Sequence, residues 1–125
     1  MRGLRLFVRP IDQTDHESVG KFVQSNDPNP RSIPAYGLLG KLLGDIVAVV
    51  AIDLTPDAIR IDDILVAREL RKKRIGKVMV NEVAQLAAKL DRRRVIVEDA
   101  RGADEFFRHV GFESEGERWV RAVSS

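Results

Sequence analysis

A basic turn joins a strand to a long amphipathic helix between Val66 and Leu90, and this junction limits the folds open to the chain. Four consecutive cationic residues, 71–74, fill the turn. Apolar residues then recur at spacings of four, four, three and four, which predicts a helix over 75–90. These residues are Ile75, Met79, Val83, Leu86 and Leu90. A strand, a short turn and a helix in this order are typical of an α/β domain.

The start of this helix is suited to an anionic ligand. Backbone N–H groups at a helix start have no intrahelical acceptor, and the helix dipole favours negative charge there. The cationic turn adds charge at the same place, and Gly76 lets the backbone approach a ligand because it has no Cβ. A charged run can equally be a solvated loop, but its position between a strand and a periodic helix favours a ligand with two or more phosphate groups.

The other segments complete a mixed pattern of strands and helices. Apolar alternation predicts strands, and helical spacing predicts further helices. The predicted strands are 4–8, 35–42, 46–53, 58–66, 94–98 and 117–123, and the further helices are 15–24 and 102–110. Asp15 is the expected N-cap of the first helix. This order predicts one α/β domain over residues 1–125, with a mixed sheet whose first half is antiparallel.

Two adjacent aspartates interrupt the strand predicted over 58–66. Apolar residues alternate up to Ile61, and then Asp62 and Asp63 shift the next apolar position to Ile64. A slip of one residue is what a β-bulge produces, so we expect a bulge here. Adjacent strand residues point to opposite faces, and only a bulge would let both carboxylates face the same cleft.

The composition excludes several kinds of chemistry. The chain has no Cys, which excludes disulfides, thiolate metal sites and a cysteine nucleophile. The two His residues lie far apart in sequence, so we expect no metal site. The start of the chain is too charged for a signal peptide, and the longest apolar run, 46–52, fits a strand rather than a membrane span. We therefore expect a cytoplasmic domain without membrane contact.

Two spaced motifs occur in the chain, Val66-x4-Arg71-x4-Gly76 and Ala103-x-x-Phe106-Phe107-x-x-x-Gly111-Phe112. Together they resemble two motifs of the GNAT superfamily of N-acetyltransferases. The first is the family signature Arg/Gln-x-x-Gly-x-Gly/Ala after a strand that ends in Val, which Val66, Arg71 and Gly76 match. The second is Ala-x-x-Phe-Tyr-x-x-x-Gly-Phe, which here runs from Ala103 to Phe112. The motifs occur in the expected order, with a helix and a strand between them. The resemblance covers about residues 38–120, and 4–8 match the usual first strand.

This resemblance implies a fold, a coenzyme and a reaction. The fold is a central mixed sheet flanked by helices, with two parallel strands splayed around acetyl-CoA. An amine of a small molecule or a protein attacks the thioester directly, without an acyl-enzyme, and a backbone N–H of the bulged strand stabilises the oxyanion. The residues that the resemblance assigns to the coenzyme are Ile64, Leu65, Val66, Arg71, Lys72, Lys73, Arg74, Ile75, Gly76, Lys77 and Phe107.

Three positions depart from the family pattern. Arg74 stands at the middle Gly of the signature, where its side chain either crowds the coenzyme diphosphate or binds it. Ala100 replaces an Asn that often orients the coenzyme. Phe107 replaces the Tyr that commonly protonates the leaving thiolate, and Phe has no proton to give. An active N-acetyltransferase and a catalytically weak or inactive acyl-CoA-binding domain therefore both remain open.

Asp62 and Asp63 are the candidate catalytic residues, because one of them could bind or deprotonate a substrate ammonium. A solvated acid or a partner for a nearby Arg is an equally good interpretation of either aspartate.

We expect His109 at the surface and Trp119 in the core or in a dimer contact, so a homodimer also remains open. Nucleic-acid binding through the basic turn is disfavoured by the net charge of only +2.

Overall fold

The computed structural model describes residues 6–27, 36–71, 74–100 and 102–123. The predictions for Lys72 and Lys73, and for the first residues of the strands expected at 4–8 and 35–42, lie outside these ranges. The elements are β1 (Phe7–Pro10), α1 (His16–Asn26), β2 (Gly37–Leu42), β3 (Asp45–Leu54), β4 (Ala58–Val66), α2 (Ile75–Lys89), β5 (Arg94–Val97), α3 (Asp104–His109), β6 (Glu113–Glu115) and β7 (Arg118–Ala122). None of these helices has the length and apolar run that crossing a bilayer requires.

The strands form one mixed sheet in the order β1-β2-β3-β4-β5-β7-β6. Strands β1 to β4 pair antiparallel, β4 pairs parallel with β5, and β5, β7 and β6 pair antiparallel again. The predicted mixed sheet with an antiparallel first half is therefore confirmed. A parallel pair needs a crossover connection, and here α2 supplies it between β4 and β5.

Helix α2 packs its apolar face on the sheet. The buried residues of this face are Ile75, Met79, Val80, Val83 and Ala87. The helix ends at Lys89, and Leu90, the last residue of the predicted apolar series, is 37% exposed because it follows the final turn. At Gly40 on β2 an added Cβ would lie 3.0 Å from the Met79 Sδ atom, so this glycine allows the helix to approach the sheet closely.

The predicted bulge lies in β4. Ala51 of β3 pairs with Asp63, and the next residue, Ile52, pairs with Ile61. Asp62 is therefore the extra residue of the bulge.

Strands β4 and β5 pair only over a short stretch. Their register runs from Ala58 opposite Arg94 to Arg60 opposite Ile96. β4 continues for six residues beyond Arg60, whereas β5 ends one residue beyond Ile96. The two parallel strands thus separate, and a cleft opens between them.

Two details of the fold differ from the sequence predictions. Strand β6, which pairs with β7 from Glu113 opposite Val120, was not predicted, because all three of its residues are exposed and show no apolar alternation. Asp15 precedes α1 as expected but does not cap it through its side chain. Its carboxylate instead accepts hydrogen bonds from the guanidinium of Arg9 and the backbone N–H of Asp12, whose own side chain caps a preceding 3₁₀ turn.

Candidate active site

Two connected cavities fill the gap between β4 and β5. The outer cavity has a volume of about 750 Å³ and the inner cavity about 240 Å³. They share four lining residues, Ile64, Leu65, Arg71 and Ala103, so they are two parts of one cleft. The rest of the outer lining is Val66, Leu70, Arg74, Ile75, Gly76, Lys77, Phe106, His109 and Val110. The rest of the inner lining is Asp27, Ile61, Asp62, Asp63, Val97, Asp99, Ala100 and Phe107.

The outer cavity collects the coenzyme residues predicted from the signature. Those among the described residues are Ile64, Leu65, Val66, Arg71, Arg74, Ile75, Gly76 and Lys77, and all of them line it. The start of α2 forms part of its wall. Val78 is the first residue whose N–H donates within the helix, to the carbonyl of Arg74, so the N–H groups before it have no intrahelical acceptor. The cavity therefore combines a helix start with three cationic side chains.

Arg74, the N-cap of α2, has a left-handed backbone conformation, with φ 65° and ψ 10°. This conformation costs a residue with a Cβ about 1–2 kcal/mol relative to glycine. The middle Gly of the family signature falls at this position, so the turn keeps the glycine geometry although its residue is an arginine. The side chain makes no capping hydrogen bond.

Gly76 has a second role besides the one expected. An added Cβ would lie 3.0 Å from both Cε1 and Cζ of Phe106. The missing side chain therefore makes room for the Phe106 ring of α3, which lines the outer cavity together with Gly76. The glycine brings α2 and α3 close together, in addition to leaving the helix start open.

Arg71 connects the signature turn with the end of α1. Its Nε donates to the carbonyl of Val66 at 3.2 Å, and its NH2 group donates to the carbonyl of Asn26 at 3.1 Å. The Asn26 side chain accepts the backbone N–H of Arg68 at 3.0 Å, which adds a second tie between the same segments. Arg71 is exposed and lines both cavities, so it stands where they meet.

The edge of β4 that faces the cleft carries the backbone groups of Ile64 and Val66. The N–H of Ala67 donates to Val47 of β3 at 2.8 Å. Backbone groups alternate between the two sides of a strand, so those of Ile64 and Val66 point away from β3. Two side chains of the protein bind backbone groups on this edge. Asp63 accepts a hydrogen bond from the Ile64 N–H at 2.9 Å, and Arg71 donates one to the Val66 carbonyl.

Four aspartates line the inner cavity, Asp27, Asp62, Asp63 and Asp99. The bulge brings the adjacent Asp62 and Asp63 to the same cavity, which regular strand geometry would not allow. Asp62 is exposed and accepts a hydrogen bond from Arg60 Nε at 2.6 Å, and this bond raises the pKa of the guanidinium. Asp63 is half-buried beside Ile64. Across the described ranges, no three His, Asp or Glu side chains are grouped to hold a metal ion.

Phe107 forms an apolar part of the inner wall. It is 2% exposed, and its ring packs edge-on against Phe106 and Phe112 at centroid distances of 5.1 and 5.3 Å.

Trp119 holds α3 in place by donating from Nε1 to Asp104 at 3.2 Å, and it is buried in the core. The single tyrosine, Tyr36, is 60% exposed and lines neither cavity, so it does not take the place of the missing acid.

The sequence predictions missed several side chains of the cleft, including its polar and aromatic ones. Asp27 and Asp99 line the inner cavity, and Phe106 and His109 line the outer one. His109 is exposed, as expected, but it lines the outer cavity rather than lying on open surface. The spacing of three between Ala103, Phe106 and His109 places them along one side of α3 and could have indicated this face.

The mixed sheet and the cleft between its two splayed parallel strands together define the class of protein. The chain is an acyltransferase domain. The sequence model of the acetyltransferase (GNAT) family matches residues 7–112, so the chain belongs to the GNAT family of acetyltransferases. No curated protein sequence matches the chain.

Solved structures share the fold at low sequence identity. The ribosomal-protein-S18-alanine N-acetyltransferase of Escherichia coli superimposes with a TM-score of 0.80 at 12% identity, over 97% of this chain and 96% of its own. A putative GNAT acetyltransferase of Desulfovibrio desulfuricans gives 0.82 at 13% identity, over 96% of this chain and 100% of its own. N-acetylglutamate synthase of Neisseria gonorrhoeae, solved with coenzyme A and L-arginine, gives 0.81 at 13% identity, over 96% of this chain and 34% of its own.

Proposed function

We propose that the chain transfers an acetyl group from acetyl-CoA directly to an amine nitrogen. One observation carries the proposal: a single cleft has a cationic helix start in its outer part and four carboxylates in its inner part. The first suits the coenzyme phosphates, and the second suits a substrate that arrives as an ammonium ion. The two parts meet at Ile64 and Leu65, which are the expected contacts of the coenzyme arm.

The coenzyme would bind with its phosphates at the start of α2 and its pantetheine arm along β4. The cleft-facing edge of β4 is free of β5 beyond Arg60, so its backbone can pair with amide groups of the arm. The Val66 carbonyl and the Ile64 N–H are the groups that point there. Binding would require Asp63 to release the Ile64 N–H, whereas the Val66 carbonyl has a second lone pair and can accept from the arm beside Arg71.

Chemistry at the thioester would proceed without an acyl-enzyme. The ammonium ion first loses a proton, and the amine nitrogen then attacks the thioester carbonyl carbon to form an oxyanion. The carbon–sulfur bond breaks to release the CoA thiolate, and the second proton on the nitrogen passes through water to this thiolate. The proton that the ammonium loses before the attack goes to a carboxylate, directly or through water. We assign this role to Asp63, which is half-buried next to Ile64, rather than to the exposed Asp62. No Ser, Thr, Cys or Tyr lines the cleft among the described residues, which supports direct transfer.

Titration with acetyl-CoA and an assay of thiol release over a panel of amines test the proposal. We expect micromolar binding, amine-dependent release of CoA, and an unchanged protein mass after incubation with acetyl-CoA alone. An acetylated protein that passes its acetyl group to amine would contradict direct transfer. Absence of acetyl-CoA binding at high micromolar concentration would contradict the function itself.

A domain that binds acyl-CoA without turnover is the second candidate, and Phe107 favours it. The ring lies in the inner wall where the resemblance implies a proton donor. The CoA thiol leaves tolerably without help, because its pKa is close to the value of about 8.5 for a free thiol. The variant Phe107→Tyr separates the candidates: if an acid is all that is missing, thiol release rises about 10²-fold or more. Unchanged coenzyme binding with no turnover on any amine would favour the binding domain.

A further inference from the structure

The last residue of α1, Asn26, makes hydrogen bonds to three other residues. Its side-chain amide donates to the carbonyl of Phe22 in the same helix at 2.9 Å and accepts the backbone N–H of Arg68 at 3.0 Å. Its backbone carbonyl accepts from the Arg71 guanidinium at 3.1 Å. Asn26 therefore joins the end of α1 to two residues that lie 42 and 45 positions later in the chain.

The backbone carbonyl of Asn26 gives the Arg71 side chain a partner. Carbonyl groups in the last turn of a helix have no intrahelical donor, and the helix dipole places partial negative charge there. A guanidinium suits this place because it has several N–H donors and a permanent positive charge. Within the described part of the protein, the Arg71 guanidinium donates only to Asn26 and Val66, and its other N–H groups remain available to a ligand in the cleft.

The side chain of Asn26 keeps this carbonyl in place. The end of a helix otherwise frays readily, because its last carbonyls lack intrahelical donors. Phe22 is buried, so the bond to its carbonyl attaches the end of α1 to the core. The bond from Arg68 attaches the same residue to the turn that leads to Arg71. The two side-chain bonds thus fix the distance between the helix end and the turn.

We propose that Asn26 is a positioning residue for coenzyme binding, which acts by holding the Arg71 guanidinium where the two cavities meet. The inference rests on the proposed function and adds to it a residue of α1 that lies outside both sequence motifs. Asn26 lines neither cavity, whereas Arg71 lines both, so the effect on the ligand passes through Arg71. A guanidinium that is already held in place loses less rotamer freedom on binding an anion, and therefore binds it more tightly.

Two variants separate the amide of Asn26 from amides of α1 in general. Asn26→Ala removes both side-chain hydrogen bonds and keeps the backbone carbonyl, and it should fold because alanine is favourable in a helix. Gln24→Ala is the matched control, since it removes an exposed amide from the same turn of α1. Each change is also made together with Arg71→Ala, which leaves no guanidinium to position.

Isothermal titration with CoA measures the effect, at a temperature at which circular dichroism shows every variant to be folded. We expect Asn26→Ala to bind CoA about fivefold more weakly than the unmodified chain, and Gln24→Ala to bind it within twofold. In the presence of Arg71→Ala, the change Asn26→Ala should alter the affinity less than twofold, because the two residues act through one contact.

Three results would contradict the inference. If Asn26 has a structural role only, Asn26→Ala lowers the midpoint of thermal unfolding but leaves the CoA affinity of the folded protein unchanged. If Asn26→Ala weakens binding equally with and without Arg71→Ala, it does not act through Arg71. If the unmodified chain does not bind CoA at high micromolar concentration, the proposed function fails and the inference fails with it.

Discussion

The Nε of Arg71 donates a hydrogen bond to the backbone carbonyl of Val66 at 3.2 Å. This bond joins the first residue of the basic signature to the last residue of β4, on the strand edge that faces the cleft. The same guanidinium also contacts Asn26 at the end of α1. One side chain thus fixes three segments around the place where the inner and outer cavities meet.

Arg71→Ala should lower the free energy of unfolding by about 1 kcal/mol, because two hydrogen bonds to exposed carbonyls are lost. It should also weaken acetyl-CoA binding, since a cation leaves the outer cavity. Arg71→Lys keeps the positive charge but cannot make both hydrogen bonds. It should therefore lower the free energy of unfolding and retain most of the affinity for acetyl-CoA. Urea unfolding and calorimetric titration measure the two effects.

Arg68→Ala is the control for Arg71. Arg68 carries a cation in the same turn, but its contact with Asn26 uses the backbone N–H, which the variant keeps. If Arg68→Ala reduces stability and affinity as much as Arg71→Ala, general charge rather than the Arg71 contacts explains both.

Asp63→Asn should lower kcat/KM for the amine by about 10²-fold, because an amide cannot accept the amine proton. The acetyl-CoA dissociation constant should change less than twofold. Asp62→Asn is the matched control, as it makes the same change one residue away in the same cavity, and we expect a loss below threefold. Steady-state kinetics with a saturating coenzyme measure both variants, and equal losses would overturn the assignment to Asp63.

Gly76→Ala should leave stability nearly unchanged and weaken coenzyme binding. Alanine within a helix gains roughly 0.5–1 kcal/mol over glycine, but its Cβ would lie 3.0 Å from the Phe106 ring and would displace it toward the outer cavity. Adding Phe106→Leu to Gly76→Ala should restore part of the affinity, because the smaller side chain fits beside the new methyl group. Thermal unfolding and titration with CoA test this pair, and failure of the second change to help would contradict the steric explanation.

The ion pair of Arg9 and Asp15 should make the free energy of unfolding depend on pH. Hydrogen bonds from Arg9 and from the Asp12 backbone lower the pKa of the buried Asp15 carboxyl to about 2. Because the folded pKa lies below the unfolded value, the stabilisation is complete above about pH 4 and is lost as the pH falls toward 2. We expect a loss of about 1–2 kcal/mol over this window in urea unfolding.

Asp15→Asn should remove most of this pH dependence and should lower stability at neutral pH. Asp45→Asn, at the exposed start of β3, provides the comparison and should keep the slope. An equal acid slope in the Asp15 variant would show that other carboxylates cause the effect.

Local patterns were sufficient to predict the elements that build the outer part of the cleft. The helix predicted over 75–90 is α2, and the irregular spacing around Asp62 indicated the bulge that the strand pairing confirms. These signals are local because periodicity and register slips depend on neighbouring residues of one element. β6 gave no such signal, since its three exposed residues are held only by pairing with β7.

The signature motif predicted the position of Gly76 correctly but gave only part of its role. The signature placed the glycine at the start of α2, as the structure does. Its contact with Phe106, thirty positions later, depends on how α3 packs, which no spacing within the signature encodes. The same reason accounts for His109, expected at open surface and found in the outer cavity lining.

The sequence by itself determined the family, the mixed sheet, the bulged strand and the cationic start of α2. Each of these rests either on the spacing of residues within one segment or on the order of segments along the chain. Only the tertiary structure decided which segments meet. Arg71 contacts Asn26, 45 positions away, and Asp27 and Asp99 join Asp63 in one cavity. The physical reason is that contacts between distant segments depend on how the helices pack on the splayed sheet. A pattern of neighbouring residues does not predict that packing.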